Sequence, residues 1–396
     1  MSNPVRCVIM RGGTSKAVFL KESDLPPQGH LRKNLILGIF GSPDRRQIDG
    51  LGGADPLTSK LAIIGPPRDD PRAAGTHLTY TFGQVEIDAP EIDFLSLCGN
   101  ISSAVGAFAI YEGMVAPTEP ITTVRAFNTN LNRVLNIEVP VENNRPVERG
   151  DFVVPGVPGS GARILVDFAD TAGSACGALL PTGNPVDRLE IPGFGPIEAS
   201  LLDIGNAHVF IRARDVGLVG TETAAEIDAK SDLRDLLERI REIAAYRMKM
   251  IKDPARSKQE SPATPILGMI SPSADYRNEI GKRTVQADEV DLVSRLMFMQ
   301  QMHKTYAGTS TVCTGVASRI PGTIVHEMTD PKTFKNQVVR IGHPAGVIGT
   351  ETLVELKDND YVVRRATLGR TARRIMEGYV YPGAMADREA SHEKHA

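Results

Sequence analysis

The sequence predicts a strand-rich α+β chain of two similar domains, each built from strands followed by one buried helix of small residues. Three observations predict it. The chain has 396 residues, more than one hydrophobic core usually serves. Short apolar runs bounded by Gly, Pro, Asn and Asp recur along it, and several alternate with period two, as strands do. Two helical stretches, 100–111 and 309–319, lack a polar face, as helices at a domain's centre do. There are 37 Gly and 27 Pro but only 5% aromatic residues and no Trp. Turns are therefore plentiful and large anchors few.

In chain order, strands are expected over 6–10, 17–20, 61–64, 78–82, 85–87, 134–139 and 163–168. Further strands are expected over 200–204, 208–213, 266–270, 336–341, 352–356 and 373–381. A helix over 31–40 ends at Gly41-Ser42-Pro43. The stretch 224–251 is the most amphipathic and holds one long helix or two shorter ones. A further helix is expected over Asp288–Lys304, capped by Asp288. The helix over 309–319 is stopped by Pro321-Gly322. Both low-polarity helices open at a Gly-containing turn, Leu97-Cys98-Gly99-Asn100 and Tyr306-Ala307-Gly308-Thr309, so the two halves share a pattern rather than sequence identity. The segment 180–185 is the best linker. Domains of 1–184 and 185–396 follow, with the last strand able to return to the first. The polar tail after Pro382 is expected to fray.

Lys and Arg number 45 against 48 Asp and Glu, a net charge of −3. That balance predicts neither a nucleic-acid nor an anionic-membrane partner. The scarcity of aromatics argues against a stacking platform for sugars or single strands. No apolar run reaches the 18 residues a membrane span needs. The start, MSNPVRCVIMRGG, has no apolar core of an export signal. Cys7, Cys98, Cys176 and Cys313 lie far apart, with no CxxC pair and no Cys/His cluster. Neither a disulfide framework nor a metal site is expected, and a reducing cytoplasm fits. A small-molecule substrate is the expected partner, and size and sheet content suggest a homodimer.

Four segments carry candidate chemistry. Arg11-Gly12-Gly13-Thr14-Ser15-Lys16 is not GxxxxGK[ST], and a strand follows it rather than a helix. It reads better as a turn whose N–H groups and hydroxyls hold a carboxylate. The Gly-rich stretch 41–60 reads as a long surface loop, but Lys60 stands immediately before the buried-looking strand 61–64. Desolvation there disfavours an ammonium and suits a base. A second Thr-Ser-Lys ends at Lys16, and spacing does not rank the two lysines. Cys98-Gly99-Asn100 opens an apolar helix, where the macrodipole favours a thiolate and free N–H groups of Asn100, Ile101 and Ser102 bind anions. A free Cys is also a common small hydrophobe. Cys313 lies inside its helix, which argues against a matched thiol pair. His208 and His343 both sit beside turns, where structural roles are the commoner fate. His343 is the better site candidate of the two.

Taken together, the stretches MRGGTSK (10–16), GSPDRRQIDGLGGADPLTSK (41–60), CGNISSAVGAFAI (98–110), PGSG (158–161), LPTGN (180–184), YAGTST (306–311), IPGTIV (320–325) and GHPAG (342–346) resemble the PrpF-type isomerase family, a branch of the diaminopimelate epimerase superfamily. The resemblance runs nearly end to end. It implies two diaminopimelate epimerase-like domains, each a curled sheet around a central helix, with a cleft between them. It also implies cofactor-free 1,3-allylic proton shifts on unsaturated di- or tricarboxylates such as 3-methylitaconate or aconitate. The related 4-oxalomesaconate tautomerase and 2-methylaconitate cis–trans isomerase activities are alternatives. On this likeness Lys60 is the base and acid, with Cys98 nearby as a second proton carrier or a wall of the pocket. Where the epimerases carry a second thiol this chain has Gly308-Thr309-Ser310, which disfavours two-thiol racemisation. Expected substrate-binding residues are Gly13, Thr14, Ser15, Gly99, Asn100, Ile101, Ser102, Ser103, Asn128, Thr129, Ser160, Gly161, Gly308, Thr309 and His343. From another class, a noncatalytic carboxylate-binding accessory protein to a dehydratase fits the same donors.

Overall fold

The computed structural model of the chain describes residues 3–94, 97–358 and 360–383. Contacts gather into two compact units. One runs up to Val166 and takes in the chain again from Arg370. The other is Asp167–Gly369. The expected linker at 180–185 lies inside the second unit, and the expected frayed tail, 384–396, lies outside the described residues.

In the first unit the strands are β1 (Val5–Gly12), β2 (Ser15–Lys21), β3 (Lys60–Gly65), β4 (Leu78–Val85), β5 (Ile121–Asn128) and β6 (Arg133–Glu142). Helix α1 (His30–Phe40) follows β2, and α2 (Gly99–Tyr111) lies between β4 and β5. β1 and β2 form an antiparallel hairpin. Along the sheet, β2–β3 is parallel, β3–β4 antiparallel, β4–β5 parallel and β5–β6 antiparallel. The expected final strand (Ala372–Val380) pairs antiparallel with β1.

Alternation along the strands separates two faces. Val18, Leu20, Leu61 and Ile63 pack with Ile36, Leu37 and Phe40 of α1. Phe19 stacks on Phe108 of α2, with ring centroids 5.2 Å apart. The sheet touches α2 through β1, β2, β3, β5 and β6, so it curls about that helix. Small residues permit the close approach: a Cβ on Gly106 would lie 2.7 Å from Ile137 and Val139 side chains. Glu112, just past the end of α2, accepts from Arg6 (2.6 Å), Lys21 (2.9 Å) and Arg374 (2.8 Å). Burial alone would raise its pKa, but Arg6 and Lys21 bring it down to about 2. Three cations thus fix the negative end of the helix to the sheet.

In the second unit the strands are β7 (Asp187–Ile191), β8 (Gly195–Ile204), β9 (Asn206–Arg212), β10 (Ile266–Ser271), β11 (Leu292–Phe298), β12 (Val338–His343) and β13 (Gly346–Lys357). Its helices include α3 (Ala224–Asp228), α4 (Ser231–Arg247) and α5 (Gly308–Ser318). From β8 onward the pairings run antiparallel, parallel, antiparallel, parallel, antiparallel, in the same order as from β1. The central helix also falls at the same place, between the fourth and fifth strands of the series. A Cβ on Gly315 of α5 would lie 2.4 Å from Thr350, as Gly106 does on its own sheet. The repeat visible in the sequence as a pattern is thus a repeat of topology.

One expected helix is a strand. Residues 292–298 form β11, between β10 and β12, and Asp288 sits in a short turn of 3-10 helix (Ala287–Glu289). A strand buried on both faces reads as a continuous apolar run, which periodicity cannot tell from a buried helix. Leu292–Met297 are all buried, including Arg295. The Arg295 guanidinium is held by the carbonyls of Glu222 and Ser294. Among the described residues no helix is long and apolar enough to cross a membrane.

Candidate active site

Lys60 is the first residue of β3 and is 8% exposed. It stands in parallel register with Ala17 and opposite Gln84. Ala17 shares a face with Phe19, so Lys60 points to the α2 side of the sheet. Lys16 alternates to the other side. Geometry therefore separates two lysines that spacing could not. The Lys60 Nζ donates to Gln84 Oε1 at 2.6 Å and lies 5.3 Å from the centre of the Phe82 ring. Gln84 Nε2 donates to the carbonyls of Pro56 and Ser59, both at 3.1 Å, which turns its oxygen toward the lysine. Lys60 thus has a neutral, fixed partner.

The Gly-rich stretch before it is tied down rather than loose. Buried Gln47 accepts from Ala54 N (2.8 Å) and Ser59 Oγ (2.6 Å) and donates to Ser42 Oγ (3.0 Å). Leu57 O accepts from Lys16 N at 2.9 Å, joining the loop to β2. Sequence reasoning passed over Gln47 and Gln84. Their one signal is an amide among glycines or at a strand end.

Cys98 is the N-cap of α2, in extended conformation and half-buried. Ser102 N donates to Cys98 O, so the open backbone donors are those of Gly99, Asn100 and Ile101 rather than Ser102. The Ser102 and Ser103 hydroxyls donate back to Cys98 O (3.0 Å) and Asn100 O (2.7 Å), which takes them out of the set of substrate donors. Tyr80, also on the α2 side of β4, is fully buried. Burial and the neighbouring Cys98 sulfur push its phenol well above its ordinary pKa, against a smaller opposing effect of Ser102, so it stays protonated.

The β1–β2 turn leans directly on this helix start. A Cβ on Gly12 would lie 2.4 Å from Asn100 O, and one on Gly13 would lie 2.2 Å from Asn100 Oδ1. Gly13 also has φ +50. Asn100 Nδ2 donates to Thr14 Oγ1 at 3.0 Å and reaches Ser15 Oγ at 3.5 Å. Thr14, Ser15, Cys98, Gly99, Asn100 and Ile101 therefore converge, at the sheet end where β2 and β3 begin.

Other expected residues are employed elsewhere. Asn128 holds the β5–β6 turn, donating to Tyr80 O and Asn130 Oδ1 and accepting from Leu131 N. Thr129 pairs with Thr81 Oγ1 at 2.5 Å. Thr81 is on the α1 side, where both threonines line a cavity of about 430 Å³ with Arg32, Ile36 and Phe94. Exposed Ser160 donates to Gly150 O, and Gly161 bridges to Phe152. Asn128 and Thr129 lie at the β5–β6 turn, whereas a Cβ on Gly161 would lie 3.3 Å from Thr371, whose carbonyl accepts from Gly13 N.

In the second unit Gly308 and Thr309 open α5, and buried Thr309 accepts from Asn206 Nδ2 at 3.0 Å. His343 ends β12, its Nδ1 accepting from Ala345 N (3.2 Å) and its ring 5.8 Å from Tyr306. His208 is fully buried between Asn206 O (2.8 Å, Nδ1) and Ser310 Oγ (2.7 Å, Nε2). A carbonyl only accepts, so Nδ1 carries the hydrogen and Ser310 donates to Nε2. Burial lowers the His208 pKa to about 4, against the smaller opposing effect of the Asn206 carbonyl. The unfolded chain takes up this proton near pH 6.5 and the folded chain only near 4, so stability falls as pH drops through that window. The loss amounts to roughly 3 kcal/mol for this one group. Urea unfolding of the full chain and of His208→Gln at pH 7 and pH 4.5 checks it. The variant is expected to lose less stability on acidification, and parallel losses would refute the assignment.

Equivalent positions in the two units differ in chemistry. Lys60 opens β3 opposite the third residue of β2, and Ile266 opens β10 opposite the third residue of β9. Cys98 caps α2, and Ala307 caps α5. Cys313 lies within α5, fully buried, and burial with Asp203 pushes its thiol well above the ordinary value. The base candidate and the cap thiol thus belong to the first unit, with Ile266 and Ala307 at the equivalent positions of the second.

A protein of Eubacterium barkeri named 3-methylitaconate isomerase is 50% identical over 387 residues, covering 96% of this chain and 98% of that protein. A crystal structure of methylitaconate-delta-isomerase matches with TM-score 0.86 and 49% identity over 97% of each chain. A probable proline racemase from Agrobacterium radiobacter K84 matches with TM-score 0.50 at 11% identity, over 97% of this chain and 95% of that one, a likeness of fold alone. These likenesses define an isomerase with the diaminopimelate epimerase-like fold. The chain belongs to the PrpF protein family, whose profile matches residues 3–382.

Proposed function

We propose that the chain catalyses a 1,3-allylic proton shift in a small unsaturated dicarboxylate, with 3-methylitaconate and dimethylmaleate as its pair of acids. The observation that carries the reading is the buried Lys60 on the α2 side of the sheet, at the end where β2 and β3 begin, with no counterpart at Ile266. One base on one side suits removal of a proton from one carbon and delivery of a proton, exchangeable with solvent on the amine, to the other. A racemase working with two opposed groups is not supported, because Ala307 occupies the position equivalent to Cys98. The kinship with proteins bearing the methylitaconate name supports the choice of acid.

In this reading the Lys60 amine takes the proton from the carbon that bears the methyl group and lies next to a carboxylate. Electrons move through the C=C bond, and negative charge builds on a carboxylate as a dienolate. The resulting ammonium delivers a proton to the terminal methylene carbon, making a methyl group. Atoms and charge balance, with no net gain or loss. The N–H groups of Gly99, Asn100 and Ile101 with the Thr14 and Ser15 hydroxyls stabilise the charge, each fixed donor contributing on the order of 3 kcal/mol of barrier.

The test is proton exchange. Purified full chain is incubated in D2O with 3-methylitaconate, itaconate, cis-aconitate, 2-methylaconitate or oxalomesaconate and followed by NMR. Deuterium entering the allylic methyl group of dimethylmaleate is the expected result. Exchange with another acid would reassign the substrate within the same reaction. No conversion of any acid, with binding retained, would replace an enzyme by a carboxylate-binding accessory protein.

A further inference from the structure

Arg370 lies 270 residues from Asn100 in sequence, and its Nε donates to Asn100 Oδ1 at 2.8 Å. It is 4% exposed. Its Cδ packs against the β1–β2 turn, 2.8 Å from where a Cβ of Gly13 would be. The next residue, Thr371, accepts at its carbonyl from Gly13 N (2.9 Å) and Arg11 Nη1 (2.9 Å). The turn, the helix start and Arg370 therefore form one packed unit.

Hydrogen-bond chemistry then sets every orientation in it. Guanidinium nitrogens only donate, so the Asn100 atom facing Arg370 is the oxygen. The amide nitrogen must face Thr14 and Ser15. It too only donates, so both hydroxyl oxygens accept from it. Among the described residues neither hydroxyl hydrogen is committed to a protein acceptor. Both remain able to donate to an anion.

We infer that Arg370 is a positioning residue for substrate carboxylate: by holding the Asn100 oxygen it points the Thr14 and Ser15 hydroxyls at the anion. The inference rests on the carboxylate-isomerase reading above. Burial lowers the Arg370 pKa to about 10, an effect the Cys98 sulfur partly opposes, so the guanidinium is charged at neutral pH. That charge adds an attraction for anions at the start of α2.

The test uses 2-methylsuccinate, a saturated dicarboxylate that cannot isomerise, titrated calorimetrically into the full chain. Arg370→Met and Asn100→Ala should each weaken binding about tenfold or more, as loss of a hydrogen bond to a charged group does. The double variant should bind no worse than the weaker single one, because both remove the same link. Arg370→Lys should recover part of the loss. In turnover, kcat should fall and KM should rise in Arg370→Met, with Arg370→Lys recovering part of both, a rescue that general loss of structure does not produce. Melting temperatures report folding, and if Arg370→Met does not fold, Arg370→Lys with Asn100→Ala carries the same test.

Normal binding by Arg370→Met, or losses that multiply in the double variant, would overturn the inference even if the isomerase is active. Arg370-dependent binding by a chain that converts no acid would uphold it and sink the isomerase reading. A wild-type chain that binds no dicarboxylate would sink both.

Discussion

Lys60→Ala lowers turnover of 3-methylitaconate by about 10²–10⁴-fold, the usual contribution of a positioned general base, while 2-methylsuccinate binding stays within a few-fold. Binding survives because the anion donors sit on the β1–β2 turn and the start of α2, not on β3. The fold survives because the lysine makes one side-chain hydrogen bond, to Gln84, whose amide keeps its contacts to Pro56 and Ser59. Lys60→Arg should be nearly as inactive, since a guanidinium is not a base at neutral pH. Small primary amines added to Lys60→Ala should restore part of the rate. Cys98→Ser separates the remaining mechanisms. A wall residue costs little when oxygen replaces sulfur, whereas an obligatory proton carrier makes this variant as dead as Lys60→Ala. Full activity in both variants would remove the proposed site from the reaction.

Gly12→Ala and Gly13→Ala form the second large effect, expected in both stability and rate. The added Cβ of the first would sit 2.4 Å from the Asn100 carbonyl oxygen, and that of the second 2.2 Å from Asn100 Oδ1 and 2.8 Å from Arg370 Cδ. The carbonyl oxygen cannot swing aside, because it belongs to the first turn of α2 and accepts from Ser103 Oγ. Turn and helix must separate. Overpacking of this kind costs about 1–3 kcal/mol, and at Gly13 the positive φ adds about 1 kcal/mol or more. Turnover should fall about 100-fold, because a displacement near 1 Å at a positioned donor is enough for that. Gly113→Ala is the control. It has φ +67 but nothing within 4 Å of the added atom, so it should lose only the backbone term and keep its activity. Equal activity loss in all three variants would mean that the close approach of turn and helix does not matter.

Most of the strands and the two central helices were legible because each is written in neighbouring residues, whereas β5 (Ile121–Asn128) and β7 (Asp187–Ile191) were not expected. Leu61–Ile64 and His208–Ile211 are apolar runs between turn signals, and 100–111 and 309–319 are helical stretches without a polar face, opened by Gly-containing turns. Residues 292–298 were misread because burial on both faces erases the alternation that marks a strand. Part of the site was legible too. The helix start at Cys98 and the turn at Gly12–Ser15 stood out as anion-binding features, and the structure brings them together through Asn100. Asn128, Thr129, Ser160, Ser102 and Ser103 looked equally suitable as donors. A hydroxyl's or amide's availability depends on which acceptor lies beside it, and the sequence does not print that.

By itself the amino-acid order determined the kinds of element, their succession in two halves, and a carboxylate-friendly chemistry spread over short Gly-rich segments. Those properties follow from contacts within a few residues, where chain connectivity leaves little choice. Only the tertiary structure decided which Thr-Ser-Lys lysine faces α2, because strand register assigns a side to each residue. It also decided that Ile266 and Ala307 stand where Lys60 and Cys98 stand. Arg370 reached Asn100 the same way. Partners hundreds of residues apart meet because sheets and helices pack, and local sequence carries no mark of that meeting.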